Sequence, residues 1–173
     1  MSREWRRAWF LFGTLLLASF VGPAAASATP AVASDSHARP SLRADLDGAP
    51  INPVNVGTHF CHDFAFPQIH CFSTAADLEA AVAPIVNTAG VNWVAGFDYT
   101  SFQGPYMYFS QNYSVLATIG WNDRISSYIA VNSQSGRFWT DWFFSGTSYS
   151  FCCNQQIPSL GSYNNTFSSV SQP

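Results

Sequence analysis

The chain has 173 residues and a formal net charge of −3, and only 10% of its residues are charged while 16% are aromatic. All seven of its basic residues are arginines, and three of these lie within the first seven positions. The remainder is therefore mildly acidic, which argues against nucleic acids and anionic membranes as partners. Such a composition is typical of a small β-rich exported domain with dense aromatic packing.

The N-terminus has the pattern of an export signal. Its arginines precede an apolar stretch, Trp9 to Val21, that is too short to span a bilayer. Small residues follow and offer a cleavage site near Ala26 or Ala28. We predict that residues 1–28 are a signal peptide, that the mature protein is secreted, and that it has no membrane partner once the signal is removed.

The next two segments differ in composition. Residues 29–56 are rich in Ala, Pro, Ser and Asp, with few large apolar side chains, so we predict a disordered linker. Residues 57–90 are predicted to form a disulfide-linked extension with one helix, which has a capping-box-like start at Thr74 and Asp77 and a length limited by Pro84. We expect its apolar face to pack against a sheet. The face consists of Leu78, Ala81, Val82 and Ile85.

Four cysteines in an exported chain indicate two disulfide bonds. Cys152 and Cys153 are adjacent, and successive residues of a strand point to opposite faces, so a bond between them is disfavoured. We therefore expect each of them to pair with Cys61 or Cys71, which would join the extension to the rest of the chain. The alternative is a bond between Cys61 and Cys71, with the adjacent pair bonded to each other or free.

Residues 91–173 have the pattern of an antiparallel β-domain. Short aromatic and β-branched runs alternate with clusters of Gly, Asn and Ser, at the spacing expected of a sandwich. We predict strands in five such runs, at 93–97, 106–109, 128–131, 138–139 and 149–151.

This domain repeats itself once, at an offset of 42 residues. The pattern aromatic-x4-aromatic-x-Gly occurs at 97–104 and again at 139–146. The polar hexad Asn-Asp-Arg-Ile-Ser-Ser at 122–127 recurs as Asn-Asn-Thr-Phe-Ser-Ser at 164–169. Such a repeat usually means that one supersecondary unit is used twice, because neither copy alone can bury its apolar face.

The two hexads are the candidate metal-binding segments. Each has carboxylate or amide oxygens, a backbone carbonyl and a hydroxyl within a short loop, and hard oxygen ligands of this kind bind Ca²⁺. A single hexad would be weak support, since Asn, Asp and Ser are also ordinary turn residues. Two copies, each beginning 18 residues after the repeated Gly, are a much stronger indication.

The paired motifs resemble those of the microbial βγ-crystallin domain over roughly residues 92–171. The resemblance implies an all-β fold in which two Greek-key motifs form a two-sheet β-sandwich, here preceded by the short helix-containing extension. It also implies two Ca²⁺ sites between the hexad loops and no catalysis. In each site a carbonyl and a hydroxyl come from one hexad and an early side chain reaches across from the other. The residues concerned are Asn122, Asp123, Arg124 and Ser126 in the first hexad and Asn164, Asn165, Thr166 and Ser168 in the second.

The resemblance assigns these residues different roles. The carbonyls belong to Arg124 and Thr166, the hydroxyls to Ser126 and Ser168, and the side chains that reach across to Asp123 and Asn165. The last serine of each hexad is implied to be structural. Only the first hexad contains a carboxylate, so we expect the two Ca²⁺ sites to be unequal in affinity.

Two other functions stay open at this stage. The chain is also similar to secreted crystallin-fold proteins grouped with a metalloprotease-inhibitor family, which implies an extracellular protease as partner. An inhibitor needs a rigid exposed loop, often braced by a disulfide, and the best candidate is the strip at 154–158 after Cys152 and Cys153. The alternative is that this strip is a plain connection between strands. Aromatic side chains such as Trp139, Trp142 and Phe143 would suit a killer-toxin-like module that binds a component of the cell envelope. No nucleophile-turn motif indicates an enzyme.

Overall fold

The computed structural model describes residues 41–86, 91–131 and 134–172. The predicted signal peptide lies outside these ranges, within which the chain forms two sheets. The strands are β1 Arg43–Leu46, β2 Ala49–Ile51, β3 Phe60–Ala65, β4 Gln68–Phe72, β5 Val94–Tyr99, β6 Gln103–Phe109, β7 Ser127–Ala130, β8 Gly136–Asp141, β9 Ser145–Phe151, β10 Gln156–Ile157 and β11 Ser169–Ser171. All five predicted strands are present, and most are longer than predicted.

The helices are short. One α-helix, α1, spans Ala75–Val86, and 3₁₀ helices span Pro53–Thr58, Thr100–Phe102, Leu116–Ile119 and Gly161–Tyr163. Across the described ranges, none has the length and hydrophobicity needed to cross a membrane.

The two copies of the repeat exchange strands between the sheets. The larger sheet has the order β10-β7-β5-β6-β3-β4-β1-β2, and the smaller has the order β11-β8-β9. The second copy contributes β10, which pairs with β7 of the first, while Tyr113 of the first copy pairs with Val170 in β11 of the second. The result is the predicted Greek-key sandwich, in which each copy depends on the other to complete its sheet.

Aromatic side chains fill the space between the two sheets. The rings of Phe138 and Phe167 stack with centroids 5.1 Å apart, and those of Phe109 and Trp121 meet edge to face at 5.6 Å. All four side chains are fully buried. Aromatic rings remove a large apolar area from water, so this layer accounts for much of the stability of a small domain.

The helix α1 covers the opposite face of the larger sheet. Thr74 Oγ1 accepts a hydrogen bond from Asp77 N at 3.2 Å and donates one to Asp77 Oδ2 at 2.5 Å, which confirms the predicted helix start. Leu78 and Val82 are buried in a cluster with β5 and β6, so the apolar face packs on the sheet as expected. Pro84 lies inside the helix rather than at its end.

The linker predicted for residues 29–56 is wrong over its last part. β1 and β2 lie within it, a 3₁₀ helix begins at Pro53, and β1 pairs in parallel with β4. The segment is ordered because β1 finds backbone partners in a distant strand and because Ala44 and Val56 are buried in the core. The extension predicted for 57–90 also belongs to the main sheet, since β3 pairs in parallel with β6.

The predicted cross-pairing of the cysteines is also wrong. Cys61 and Cys71 are bonded to each other, and so are Cys152 and Cys153. β3 and β4 are antiparallel with Cys61 directly opposite Cys71, and their Cα atoms are 4.1 Å apart. The alternation of side chains does not apply to the adjacent pair, because Cys152 and Cys153 follow the end of β9 and Cys153 has a φ of 64°.

Candidate metal centre

The two hexad loops lie side by side and lead into β7 and β11, each of which begins at the last serine of its hexad. The second residue of each hexad adopts a left-handed backbone, with φ of 54° at Asp123 and 56° at Asn165, which Asp and Asn tolerate better than most residues. Asp123 N donates to Phe167 O at 2.9 Å, and Asn165 N donates to Ile125 O at 3.1 Å. These reciprocal bonds turn the second side chain of each hexad toward the other loop.

At the first site, oxygen atoms converge on the hydroxyl of Ser126. Its Oγ lies 2.6 Å from Asp98 O, 2.7 Å from Asn165 Oδ1 and 3.5 Å from Arg124 O. The hydroxyl carries one proton, and the other three oxygens can only accept. Lone pairs therefore outnumber protons at this point, and a hard cation would satisfy them.

At the second site, the corresponding hydroxyl belongs to Ser168. Its Oγ lies 3.4 Å from Asp123 Oδ1, which reaches across from the first hexad. The other carboxylate oxygen of Asp123 accepts a hydrogen bond from Asn122 Nδ2 at 2.7 Å. The Thr166 hydroxyl is engaged elsewhere, since it donates to Tyr163 O at 2.8 Å and leaves only the carbonyl of Thr166 as a candidate ligand.

The first residue of each hexad is placed differently from its neighbours. Asn122 Oδ1 accepts a hydrogen bond from Trp142 Nε1 at 3.1 Å, so Asn122 supports Asp123 from the side of the β8–β9 hairpin. Asn164 Oδ1 is buried and accepts no hydrogen bond within the described part of the chain. A buried oxygen without a proton donor is unusual and is compatible with a nearby cation.

The two sites differ in charge. At the first, the ligand oxygens come from carbonyls, an amide and a hydroxyl, all of them neutral. The one carboxylate close by, that of Asp98, is held by Arg124, with Nη2 to Oδ2 at 2.5 Å and Nε to Oδ1 at 3.0 Å. The second site has the Asp123 carboxylate among its oxygens. Because Ca²⁺ affinity follows ligand charge, the second would be the stronger of the two candidate sites.

The last serines of the hexads hold the backbone of the hairpins. Ser127 Oγ donates to Tyr99 O at 2.7 Å and accepts from Phe102 N at 3.1 Å. In the second copy, Ser169 Oγ donates to Asp141 O at 2.6 Å and accepts from Phe144 N at 3.1 Å. The identical bonding supports a structural role for both serines.

Sequence reasoning missed the backbone carbonyl of Asp98 as a site oxygen. Asp98 directly follows Phe97, the first aromatic of the repeated pattern. Its fixed separation from the hexad along the sequence could therefore have identified it as a candidate. A carbonyl carries no residue-type signature, because every residue has one.

The structure adds no support for the other candidate sites. Within the described ranges, no three His, Cys, Asp or Glu side chains form a group that could hold a metal ion. The proposed inhibitory strip at 154–158 is partly taken up by β10, whose Gln156 and Ile157 pair with β7. Pro158 O also accepts a hydrogen bond from Ser101 N at 2.7 Å.

Comparisons with known proteins point to one family. No family model matches the chain, and no curated protein sequence matches it. Among solved structures, a beta gamma crystallin from Ciona intestinalis is 31% identical, with 47% of this chain and 99% of that chain covered and a TM-score of 0.43. A βγ-crystallin from an archaeon is 21% identical, covering 49% of this chain and 100% of that one, with a TM-score of 0.44. A βγ-crystallin domain from Clostridium beijerinckii is 19% identical, covering 46% and 95%, with a TM-score of 0.42.

These matches differ in what they establish. The assignment to the βγ-crystallin family rests on the 31% sequence identity over nearly the whole length of the Ciona protein, and not on the structural superpositions. The resemblance to metalloprotease inhibitors is not addressed by these matches and stays a prediction.

Proposed function

Because the chain belongs to the βγ-crystallin family, we propose that it binds Ca²⁺ at two unequal sites between its hexad loops, as an exported and non-catalytic protein. The observation that carries the proposal is the excess of lone pairs around Ser126 Oγ, where three accepting oxygens lie within 3.5 Å of one hydroxyl. The reciprocal placement of Asp123 beside Ser168 supports a second site of the same design.

Ca²⁺ would supply the positive charge that these oxygens lack. Each site offers four or fewer protein oxygens, and Ca²⁺ takes six to eight, so water or another ligand would complete the coordination. Binding joins two loops from different copies of the repeat, and it is therefore expected to stabilise the sandwich as a whole. A ligand present at one hundred times its Kd adds about 2.7 kcal/mol to the free energy of unfolding.

Calorimetric titration and thermal unfolding of the oxidised mature chain test the proposal. We expect two binding events of different affinity, and a rise in Tm of roughly 5–10 °C in millimolar Ca²⁺ relative to chelator. No heat of binding at millimolar Ca²⁺, together with an unchanged Tm, would refute the proposal.

Single substitutions assign each event to its site. Asp123→Asn and Ser168→Ala should weaken the tighter event, because the first removes the negative charge of a second-site ligand and the second removes a ligand oxygen. Ser126→Ala should weaken the other event and leave the tighter one in place. Ser150→Ala, at an exposed position on β9 away from the hexads, serves as the matched control and should bind like the parent protein.

If Ser126→Ala instead removes the tighter event, the charge argument is wrong even though Ca²⁺ binds. If all three variants bind Ca²⁺ like Ser150→Ala, the ions occupy some other part of the molecule and the assignment of the hexads fails.

A further inference from the structure

An open cleft of about 380 Å³ adjoins the second hexad site. Ser168, a proposed Ca²⁺ ligand, is part of its wall, so an ion held there would face the cleft. The other lining residues come from the β8–β9 hairpin and are Thr140, Asp141, Trp142, Phe143 and Ser145.

Two aromatic rings stand exposed at this cleft. Trp142 is 50% exposed and Phe143 is 70% exposed, although most aromatic side chains of the described residues are buried or half-buried. The first copy of the repeat has Thr100 and Ser101 at the equivalent positions, offset by 42 residues. The fold therefore forms the same hairpin without aromatic residues at these positions.

The backbone makes Phe143 more unusual still. Its φ is 58°, the same value as at Ser101 in the first copy. A bulky side chain in the left-handed region is strained, by roughly 1 kcal/mol or more. With its ring mostly in solvent, Phe143 recovers little of this energy from packing, so the fold alone does not account for its presence.

The exposed rings are coupled to the ion site and held in place. Trp142 Nε1 donates to Asn122 Oδ1 at 3.1 Å, and Asn122 Nδ2 donates to Asp123 Oδ2 at 2.7 Å. The backbone of Phe143 is anchored by its N–H, which donates to Ser114 O at 2.7 Å. A surface that is fixed before binding loses less entropy when a ligand arrives.

From these observations we propose that the cleft is a Ca²⁺-dependent binding site for a neutral saccharide. Adjacent hydroxyls of the sugar would complete the coordination of the ion at Ser168 and Asp123, and the rings of Trp142 and Phe143 would contact its C–H faces. The proposal rests on Ca²⁺ binding at the second hexad site, as inferred above.

Charge favours a neutral ligand over an anionic one. The lining includes the Asp141 carboxylate and no basic residue, and the chain has no lysine and a formal net charge of −3. Within this lining a phosphate group would be repelled by Asp141, and only the ion would attract it. A saccharide offers both features that this cleft can bind, hydroxyl oxygens and apolar ring faces.

Binding to immobilised neoglycoconjugates tests the proposal. The oxidised mature chain is passed over mannose, glucose, galactose and N-acetylglucosamine on an inert polymer, in millimolar Ca²⁺ and in EGTA, with Ca²⁺ titrated by calorimetry on the same preparation. We expect retention on at least one sugar in Ca²⁺ and release in EGTA. Phe143→Ser, which restores the residue type of the first copy, should weaken retention about tenfold and leave Ca²⁺ affinity unchanged.

A matched control separates the cleft from general surface stickiness. Val54→Ser removes another exposed apolar side chain, which is 50% exposed and lies in the 3₁₀ helix Pro53–Thr58, and it should bind sugar like the parent. Trp142→Thr, which likewise introduces the residue type found in the first copy, should also weaken retention.

Failure of this proposal can be told apart from failure of the proposed function. If Ca²⁺ binds by calorimetry but no sugar retains the protein, or if Phe143→Ser is retained like the parent, the saccharide site is refuted and Ca²⁺ binding stands. Ca²⁺-dependent binding to phosphatidylserine vesicles with no sugar retention would refute it in favour of an anionic surface. If Ca²⁺ does not bind at all, both proposals fail.

Discussion

His62 and Asp63 are neighbours on β3, and both are held in surroundings that disfavour their charged forms. His62 is 6% exposed and Asp63 is fully buried. Burial, together with the charge of nearby His70, lowers the pKa of His62 to about 4, against a smaller raising effect of Asp45. Burial raises the pKa of Asp63 to about 6, even though this carboxylate accepts hydrogen bonds, such as that from the Tyr113 hydroxyl at 2.9 Å.

The two groups affect stability with opposite signs. The unfolded chain protonates His62 near its ordinary pKa of 6.5, so the free energy of unfolding falls as the pH drops from 6.5 to 4. The folded chain protonates Asp63 more readily than the unfolded chain, whose pKa is 3.8, so the free energy of unfolding falls as the pH rises from 3.8 to 6. Each contribution is about 3 kcal/mol, and between pH 4 and 6 they largely cancel.

Replacing Asp63 by Asn should expose the His62 titration. We expect the free energy of unfolding of this variant to rise by about 3 kcal/mol between pH 4 and 6.5, while that of the parent stays nearly flat. His62→Phe should give the opposite slope, falling between pH 4 and 6. Urea unfolding at closely spaced pH values measures both slopes, and parallel curves for all three proteins would contradict the opposed titrations.

A second prediction concerns the serine hydroxyl at the end of the second hexad. Ser169→Ala should lower the free energy of unfolding in EGTA by about 1–3 kcal/mol, because Phe144 N loses its acceptor and Asp141 O loses its donor. Urea unfolding beside the surface variant Ser150→Ala checks this. Equal stability of the two variants would mean that these bonds are replaced by water at no cost.

Among the elements, α1 makes a polar contact with the sheet through the carboxylate of Glu79. Glu79 Oε1 accepts hydrogen bonds from the hydroxyls of Tyr106 at 2.5 Å and Tyr108 at 2.8 Å. Burial, and after it the hydrogen bond to Glu79, raises the pKa of both tyrosines well above the ordinary value of 10.0. The polar contact complements the apolar one made by Leu78 and Val82 on the same helix.

Glu79→Ala should therefore loosen α1 more than the rest of the fold. We expect faster amide hydrogen exchange in the helix, equivalent to a loss of about 1–3 kcal/mol in its local opening free energy, with β5 and β7 little changed. Hydrogen exchange followed by mass spectrometry resolves the two regions. Uniform acceleration across helix and strands would show that α1 unfolds only together with the sandwich.

For the molecule as a whole, the N-terminal segment is joined to the crystallin repeat by a close backbone contact. Gly57 lies in the 3₁₀ helix Pro53–Thr58, and Gly120 directly follows the 3₁₀ helix Leu116–Ile119. A Cβ on Gly57 would lie 2.6 Å from the Gly120 carbonyl carbon, a distance that side chains do not tolerate. Only glycine permits this approach.

Gly57→Ala should thus separate the two parts and lower the free energy of unfolding by about 1–3 kcal/mol. Gly48→Ala is the control, since its Cβ would meet nothing within 4 Å and only its φ of 82° opposes the change. Chemical denaturation of both variants checks the difference. If Gly57→Ala is no less stable than the control, the contact does not hold the segment in place.

Local sequence patterns were sufficient to predict much of this structure. The start of α1 at Thr74 and the five strands depend on side chains within a few residues of one another, so they could be read directly. The repeat at an offset of 42 residues predicted the paired Greek keys, because two similar segments fold alike wherever they lie. The hexads were found for the same reason.

The features that the sequence did not predict depend on contacts between residues far apart along the chain. The order of residues 43–56 comes from the pairing of β1 with β4, and the bond between Cys61 and Cys71 comes from the register of β3 against β4. Asp98 pairs with Arg124, so the oxygens around Ser126 Oγ are neutral, while the Asp123 carboxylate lies beside Ser168 at the proposed second site. Composition and spacing along the chain carry no information on which distant groups meet, since folding alone brings them together.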